Sequence, residues 1–386
     1  MAEIVTFSPA EAIIGWGALS KIPSVLESKG FKRVVIVTDP VVGKSGIVGR
    51  VVDLLKGCVD VQLFQEVPAE PHAEQIEEVA GRWNWEADAL LAVGGGSPMD
   101  FAKALSMILS HGGTMEGYLG EGSVPGPVLP VVCVPTTSGT GSQSTQTTVF
   151  TIDGVKRGTS SEYIRPVAAI VDPELTVDLP TSVTRNAGYD ALIHACESFM
   201  ALPCAQVDER PILYQGSNPF SRALSLEAFR SIWSSYRRAV SGGTDREARV
   251  GMSVGSHLAG LAFSHSGLGL IHALASSLGG MVDAPHGMCL AACTEIGVRY
   301  NLAACKESLA ALEQVMEEID GETAPFLERV MALIEELGLP ARPSELGIGK
   351  EDAKKLYQNV LIQTRRIKTN PRPLDDELLS YVESGV

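Results

Sequence analysis

A chain of 386 residues with 45% hydrophobic side chains is long and apolar enough to bury a large core, and by length it favours two domains. Its net charge of −15 argues against nucleic-acid and anionic-membrane partners, which require clustered Lys and Arg, and leaves small molecules and other proteins. Seven scattered cysteines without a Cys-x-x-Cys pair fit a reducing, cytoplasmic setting; residues 1–17 lack the pattern of a secretory signal, and no apolar run approaches the ~20 residues of a membrane helix.

The first half alternates short β-branched runs with helical spacing. Residues 33–39, 60–64, 89–96, 130–137 and 168–173 read as strands, several of them continuous apolar runs of the kind buried parallel strands show. Between them, 45–57, 73–84 and 98–110 carry helical periodicity, which together predicts a doubly wound α/β domain. After residues 172–184 the texture changes: 185–201, 219–241, 245–264, 268–280, 303–319, 323–337, 350–366 and 374–384 all read as helices. Strand signals nearly vanish there, so a boundary near residue 183 is expected, with an α/β domain over 1–183 and an all-helical domain over 184–386. Residues 201–224, rich in Pro and Gly, read as a loop, either a cleft wall or dimer contact or, equally, a functionless surface insertion.

Two loops in the first half carry phosphate-binding character. In "ALLAVGGGSPMDFAKAL" a buried strand runs into Gly94 to Gly96 and then a helix, for which Ser97 is the expected N-cap, Pro98 the first helical residue and Asp100 the partner in a capping box. Glycines allow close backbone approach and free N–H groups at a helix start attract phosphate, so nucleotide binding is favoured over a plain tight turn. The second loop, "PTTSGTGSQSTQTT" (135–148), offers hydroxyls and glycines after another strand, at the sheet edge where open α/β sheets bind ligands. Asp39 ends "VVIVTD"; its carboxylate can accept from an adenosine ribose and repel a 2′-phosphate, and it is equally a turn starter in Thr-Asp-Pro.

In the second half, "GYDALIHACES" sets Asp190 and His194 four apart, on one helical face, as a metal pair or as an ordinary Asp and a buried structural His. Further on, His272 lies in an apolar helix and His286 in a Pro-His-Gly turn. Each His alone is more often structural; together the four offer three imidazoles and one carboxylate, a set suited to Fe(II) or Zn(II).

The ordered series "GGGSPMDFAKA", "VPTTSGTGS", "VDPELTVDLP", "GYDALIHACE", "GLAFSHSGLGLIHALASSLGG", "PHGM" and "TNPRPL" resembles the successive motifs of the iron-containing (group III) alcohol dehydrogenase family, over nearly the whole chain. The resemblance implies an N-terminal dinucleotide-binding domain with a Rossmann-like parallel sheet and an all-α metal-binding domain, an architecture shared with dehydroquinate synthase. It implies Asp190, His194, His272 and His286 as iron ligands. It implies Asp39, Gly95, Gly96, Ser97, Asp100, Thr136, Thr137, Thr140, Thr145, Thr147 and Lys156 as nicotinamide-cofactor contacts, with NAD preferred to NADP through Asp39. A homodimer or larger homo-oligomer is implied as well.

The chain departs from the family at several points. Ser276 stands where many relatives carry a second His four residues after the third ligand, and His265 where Asn is common; His265 reads mainly as a packed residue and only secondarily as a substitute. Gln143 replaces a usual Glu, and Glu70 stands where relatives often have Asn near the adenine. The expected activity is hydride transfer between a small alcohol or aldehyde and NAD, dependent on Fe(II), with Zn(II) accepted by the same ligands. A dehydroquinate-synthase-like lyase would need several basic residues for a phosphorylated acid, and the ligand motifs are poor in Lys and Arg; a non-catalytic nucleotide-binding relative is the third reading.

Overall fold

A computed structural model describes residues 5–207 and 213–386. The chain forms two compact units, an α/β unit of Ser8–Leu179 with Gly243–His257 and a helical unit of Met1–Phe7, Pro180–Gly242 and Leu258–Val386.

The α/β unit is built on a six-stranded parallel sheet in the order β1-β9-β6-β4-β2-β3, from β1 (Glu11–Ile14), β2 (Arg33–Val37), β3 (Asp60–Phe64), β4 (Ala89–Gly94), β6 (Val131–Pro135) and β9 (Ala168–Val171). Helices α1 (Ile22–Ser28), α2 (Pro40–Lys44), α3 (Ile47–Leu55), α4 (Ala73–Gly81) and α5 (Gly96–His111) connect the strands. Alternation along the strands explains their unbroken apolar character: Val35, Val37, Leu90 and Ala92 enter a core with Phe101 and Leu105, while Val34, Ile36, Leu91 and Val93 enter a second core with Ile22, Val51 and Leu55. Both faces of the sheet are therefore covered.

The expected strands at 89–96 and 130–137 end at Gly94 and Pro135, so the residues beyond are released as loops. Two strand features stand outside the expected strands, and one expected cap fails. The partly exposed edge strand β1 pairs in parallel with β9. Polar strands β7 (Thr147–Ile152) and β8 (Val155–Ser160) form an antiparallel hairpin through Asp153 and Gly154, both at positive φ, and the two-residue β5 (Gly120–Glu121) joins them in a small sheet. The expected capping box on α5 does not form: the cap position is Gly95 without a side-chain bond, Ser97 lies inside the first turn and its hydroxyl donates to Ala69 O, and Asp100 binds elsewhere.

The helical unit contains α6 (Thr181–Met200), α7 (Pro219–Ser241), the end of α8 (Arg246–Ser266), α9 (Leu270–Gly279), α10 (His286–Asn301), α11 (Lys306–Asp320), α12 (Phe326–Glu336), α13 (Ala353–Leu361), α14 (Thr364–Ile367) and α15 (Glu377–Gly385), and no strand among the described residues. From Gly188 to Met200, α6 is buried on every side, as expected of a core helix. The expected loop of 201–224 gives way to α7 at Pro219, because Asn218 Oδ1 accepts from the Phe220 and Ser221 amides and Pro219 occupies the first turn; residues 208–212 lie outside the described residues. The Pro-His-Gly turn expected at His286 is instead the start of α10, with Pro285 in the cap position and His286 the first helical residue.

Candidate metal centre and cofactor-binding edge

On α6, Asp190, His194 and Glu197 follow at i, i+4 and i+7, the spacing that keeps side chains on one helical face. That face meets α9, which brings His272, and α10, which brings His286 at its first residue. Asp190 Oδ1 lies 3.5 Å from His272 Nε2 and 3.9 Å from His286 Nε2, and donor atoms of these three residues lie within 4.8 Å of one another. His194 sits beside this trio: its ring stacks on His272 at 4.5 Å and on Phe263 at 4.3 Å, and its Nδ1 is 3.5 Å from Asp190 Oδ1. Asp190, His194 and His272 are buried, whereas His286 is partly exposed and forms the open side.

The electrostatics fit a cation. Asp190 Oδ1 and His272 Nε2 are buried without a hydrogen bond of acceptable geometry, an arrangement that costs stability unless another group engages both. Burial alone would raise the Asp190 pKa, but the imidazoles of His194, His272 and His286 outweigh it and hold the carboxyl well below its usual range. Burial would likewise lower His272, yet the Asp190 and Glu197 carboxylates on either side raise it. An ionised carboxylate and converging imidazole lone pairs form a nitrogen and oxygen donor set that suits divalent iron or zinc.

Glu197 is the residue that motif reading passed over. Its carboxylate accepts from the Gly269, Ile271 and His272 amides and, at 2.6 Å, from His272 Nδ1. Donation from Nδ1 fixes the His272 tautomer and leaves Nε2 as the lone-pair donor turned toward Asp190. The signal was present in "HACE", one further turn along the ligand face of α6.

The start of α10 is set by a backbone contact. A Cβ on Gly287 would lie 2.1 Å from Asn186 O, so no other residue permits this approach of α10 to α6. Ser276, one turn after His272 on α9, is buried. His265 is a packed residue: its Nδ1 meets Leu261 O at 2.8 Å and its ring lies 4.6 Å from that of Phe7.

At the candidate cofactor-binding edge of the α/β unit, β4 ends at Gly94 and α5 begins at Gly96 with no side chain capping its N–H groups. A Cβ on Gly94 would lie 2.6 Å from Pro98 Cγ, and one on Gly96 2.8 Å from Thr140 Cγ2. Glycine is needed at both positions because those side chains already fill the space a Cβ would take; the helix start is left as main chain, whose N–H groups can meet a phosphate. Thr137 Oγ1 stands 3.5 Å from where a Gly95 Cβ would be, so Gly95, Gly96, Thr137 and Thr140 are brought together, with Ser97 beside them.

The other expected contacts are placed differently. Asp39 caps α2 through Oδ1, which accepts from Val41 and Val42 N, while Oδ2 lies next to Gly94. Thr136 is buried, with its amide bound to Gly94 O. Asp100, Thr145 and Thr147 face inward into hydrogen bonds with protein groups, and Lys156 forms an ion pair with Glu70 at 3.3 Å, where Glu70 also accepts from Thr151 Oγ1.

Comparison with known proteins agrees with this geometry. Residues 9–173 match the iron-containing alcohol dehydrogenase family model, and residues 184–382 match the C-terminal model of the Fe-containing alcohol dehydrogenase family. The NAD-dependent methanol dehydrogenase of Bacillus methanolicus is 34% identical over 380 residues, covering 95% of each protein. A solved 1,3-propanediol oxidoreductase shares 29% identity with a TM-score of 0.89 over 100% of both chains. The alcohol dehydrogenase from Oenococcus oeni shares 30% identity with a TM-score of 0.89, over 99% of this chain and 100% of its own. The chain belongs to the iron-containing alcohol dehydrogenase family.

Proposed function

We propose that this member of the family interconverts a small primary alcohol and its aldehyde with NAD as the hydride carrier, and that Asp190, His194, His272 and His286 hold Fe(II), or Zn(II) in its place. The observation that carries the reading is the trio of buried Asp190, buried His272 and partly exposed His286, in which Asp190 Oδ1 and His272 Nε2 have no protein hydrogen bond of acceptable geometry. When bound, the divalent metal supplies Lewis acidity toward a substrate oxygen, and the nicotinamide supplies the hydride chemistry.

The chain's own residues do the rest. Glu197 orients His272 and Asp190 remains ionised among imidazoles, so the donor atoms are aimed together and binding of a cation displaces the proton that the two carboxylates favour on His272. Gly94 to Gly96 and the free N–H groups opening α5 receive the cofactor's phosphates, with Thr137 and Thr140 at the rim. Asp39 Oδ2 is left for a ribose hydroxyl and disfavours a 2′-phosphate, the basis for preferring NAD. Ser276 takes the place of the imidazole that many relatives carry one turn after the third ligand, so a hydroxyl is the group this helix offers for proton transfer.

NAD dependence in the name of the Bacillus methanolicus relative supports the cofactor assignment. We place the functional division at residue 183, an α/β cofactor domain over 1–183 and a catalytic domain over 184–386. We also place the protein in the cytoplasm as a homodimer or larger assembly, without nucleic-acid or membrane partners; the seven cysteines, all free, fit a reducing compartment.

The deciding experiment reconstitutes apoprotein separately with Fe(II) and Zn(II) and follows NADH formation across a panel of short alcohols, diols and hydroxy acids. Metal-dependent turnover of at least one is the expected result. No turnover of any alcohol, with no NADH consumption by any aldehyde, sinks the reading.

A further inference from the structure

Lys103 is fully buried on α5, two turns past the glycine loop, and none of the chemistry above uses it. Its Nζ lies 2.6 Å from Ser142 O, 2.9 Å from Ser142 Oγ, 3.0 Å from Thr145 O, 3.2 Å from Thr145 Oγ1 and 2.9 Å from Thr147 O. A shell of oxygens suits an ammonium, which only donates; a neutral amine would turn a lone pair toward them. Burial lowers the Lys103 pKa, and Asp100, one turn earlier on the same face, pulls it back up.

Asp100 grips the same segment. Its Oδ1 accepts from Ser142 Oγ at 2.6 Å, its Oδ2 from Val149 N at 3.2 Å, and its backbone carbonyl from Thr148 Oγ1 at 2.7 Å. The Ser142 hydroxyl thus accepts from Lys103 and donates to Asp100, joining a buried cation to a buried-side anion through one oriented O–H. Every oxygen in the Lys103 shell belongs to residues 142–147, the stretch that follows Thr137 and Thr140 and enters β7.

We propose that Lys103 is a positioning residue for cofactor binding: with Asp100 and Ser142 it clamps residues 142–149 onto the first turns of α5, and so holds Thr137 and Thr140 beside Gly95 and Gly96. The two phosphate-side loops then behave as one rigid element. The inference rests on the reading of this edge as the NAD site.

The test uses the metal-loaded full chain. Lys103→Met keeps the length and apolar stem while removing the charge. NADH affinity, read by fluorescence titration, is expected to weaken about tenfold or more, the scale of a lost charge-assisted hydrogen-bond cluster. KM for NAD should rise in step, with KM for the alcohol and metal content per chain unchanged. Hydrogen exchange at residues 142–149 should accelerate above that of the neighbouring strands. A purely structural role would instead move both KM values, metal content and stability together. If Lys103→Met does not fold, Ser142→Ala decides, with an expected loss of about threefold in NADH affinity and the same local rise in exchange. Folded Lys103→Met, or failing that Ser142→Ala, with wild-type NADH affinity overturns the clamp. Wild-type protein that binds no NADH overturns the cofactor reading as well.

Discussion

The candidate metal centre and the candidate cofactor-binding edge are built on opposite plans. In the helical unit, side chains from α6, α9 and α10 converge, and regular helix backbone serves only to aim them. In the α/β unit the working surface is main chain: a strand that stops, three glycines and a helix start without a side-chain cap. Function at the first region depends on which side chains are present; at the second it depends on where they are missing. Truncation should therefore destroy one region, and a single added methyl should damage the other.

The largest effect is expected from Asp190→Ala, which removes the carboxylate oxygen that faces all three imidazoles. Bound metal should be lost and turnover should fall by roughly a thousandfold or more; full metal content by elemental analysis would break the comparison. A pH experiment separates the two units next. His257, in the α/β unit, is buried and its pKa is pushed down by burial from 6.5 to about 4. Between those values the unfolded chain binds a proton that the folded chain refuses, so stability present above pH 6.5 is lost as pH falls toward 4, by about 3 kcal/mol. Hydrogen exchange in β4 and β6 should accelerate across that window, and His257→Leu should flatten the response.

Glu197→Gln should weaken metal affinity by about ten- to a hundredfold through a misoriented His272, read by competition with a chelator, while NADH affinity holds. Gly96→Ala reverses the pattern: its methyl meets Thr140 Cγ2, so NADH affinity should drop about tenfold with metal content intact. The smallest change in stability, a few tenths of a kcal/mol from the altered α2 cap, is expected for Asp39→Gly, whose diagnostic is a shift in the NAD to NADP ratio of kcat/KM.

Much of this was legible in residue order. The strands β2, β3, β4, β6 and β9 announce themselves because both faces are buried, leaving no polar alternation to obscure them. Asp190 and His194 show through helical spacing. What escaped did so for physical reasons. Helix α10 opens with Pro-His-Gly and is buried on most sides, so it carries neither an ordinary cap nor an amphipathic stripe. The β7 and β8 strands are polar because they face other polar groups, and only Asp153-Gly154 marks the hairpin. Ser97 and Asp100 match a capping box by spacing, yet tertiary partners took both side chains: Ala69 O for one, Ser142 and Val149 for the other. Lys103 is invisible to pattern reading because its oxygen partners lie 39 to 44 residues away, whereas Glu197 shows only as the next turn of the Asp190 and His194 face, its bond to His272 being distant in sequence.

The contact at Gly287 has a wider meaning. Peptide touches peptide where α10 meets α6, next to His286 on one helix and four residues before Asp190 on the other, both proposed metal ligands. Main-chain atoms are incompressible compared with swinging side chains, so this contact works as a mechanical stop that limits how far the coordination shell can shrink. On the proposed ligand assignment, discrimination between cations of different radius rests partly on a residue with no functional group at all.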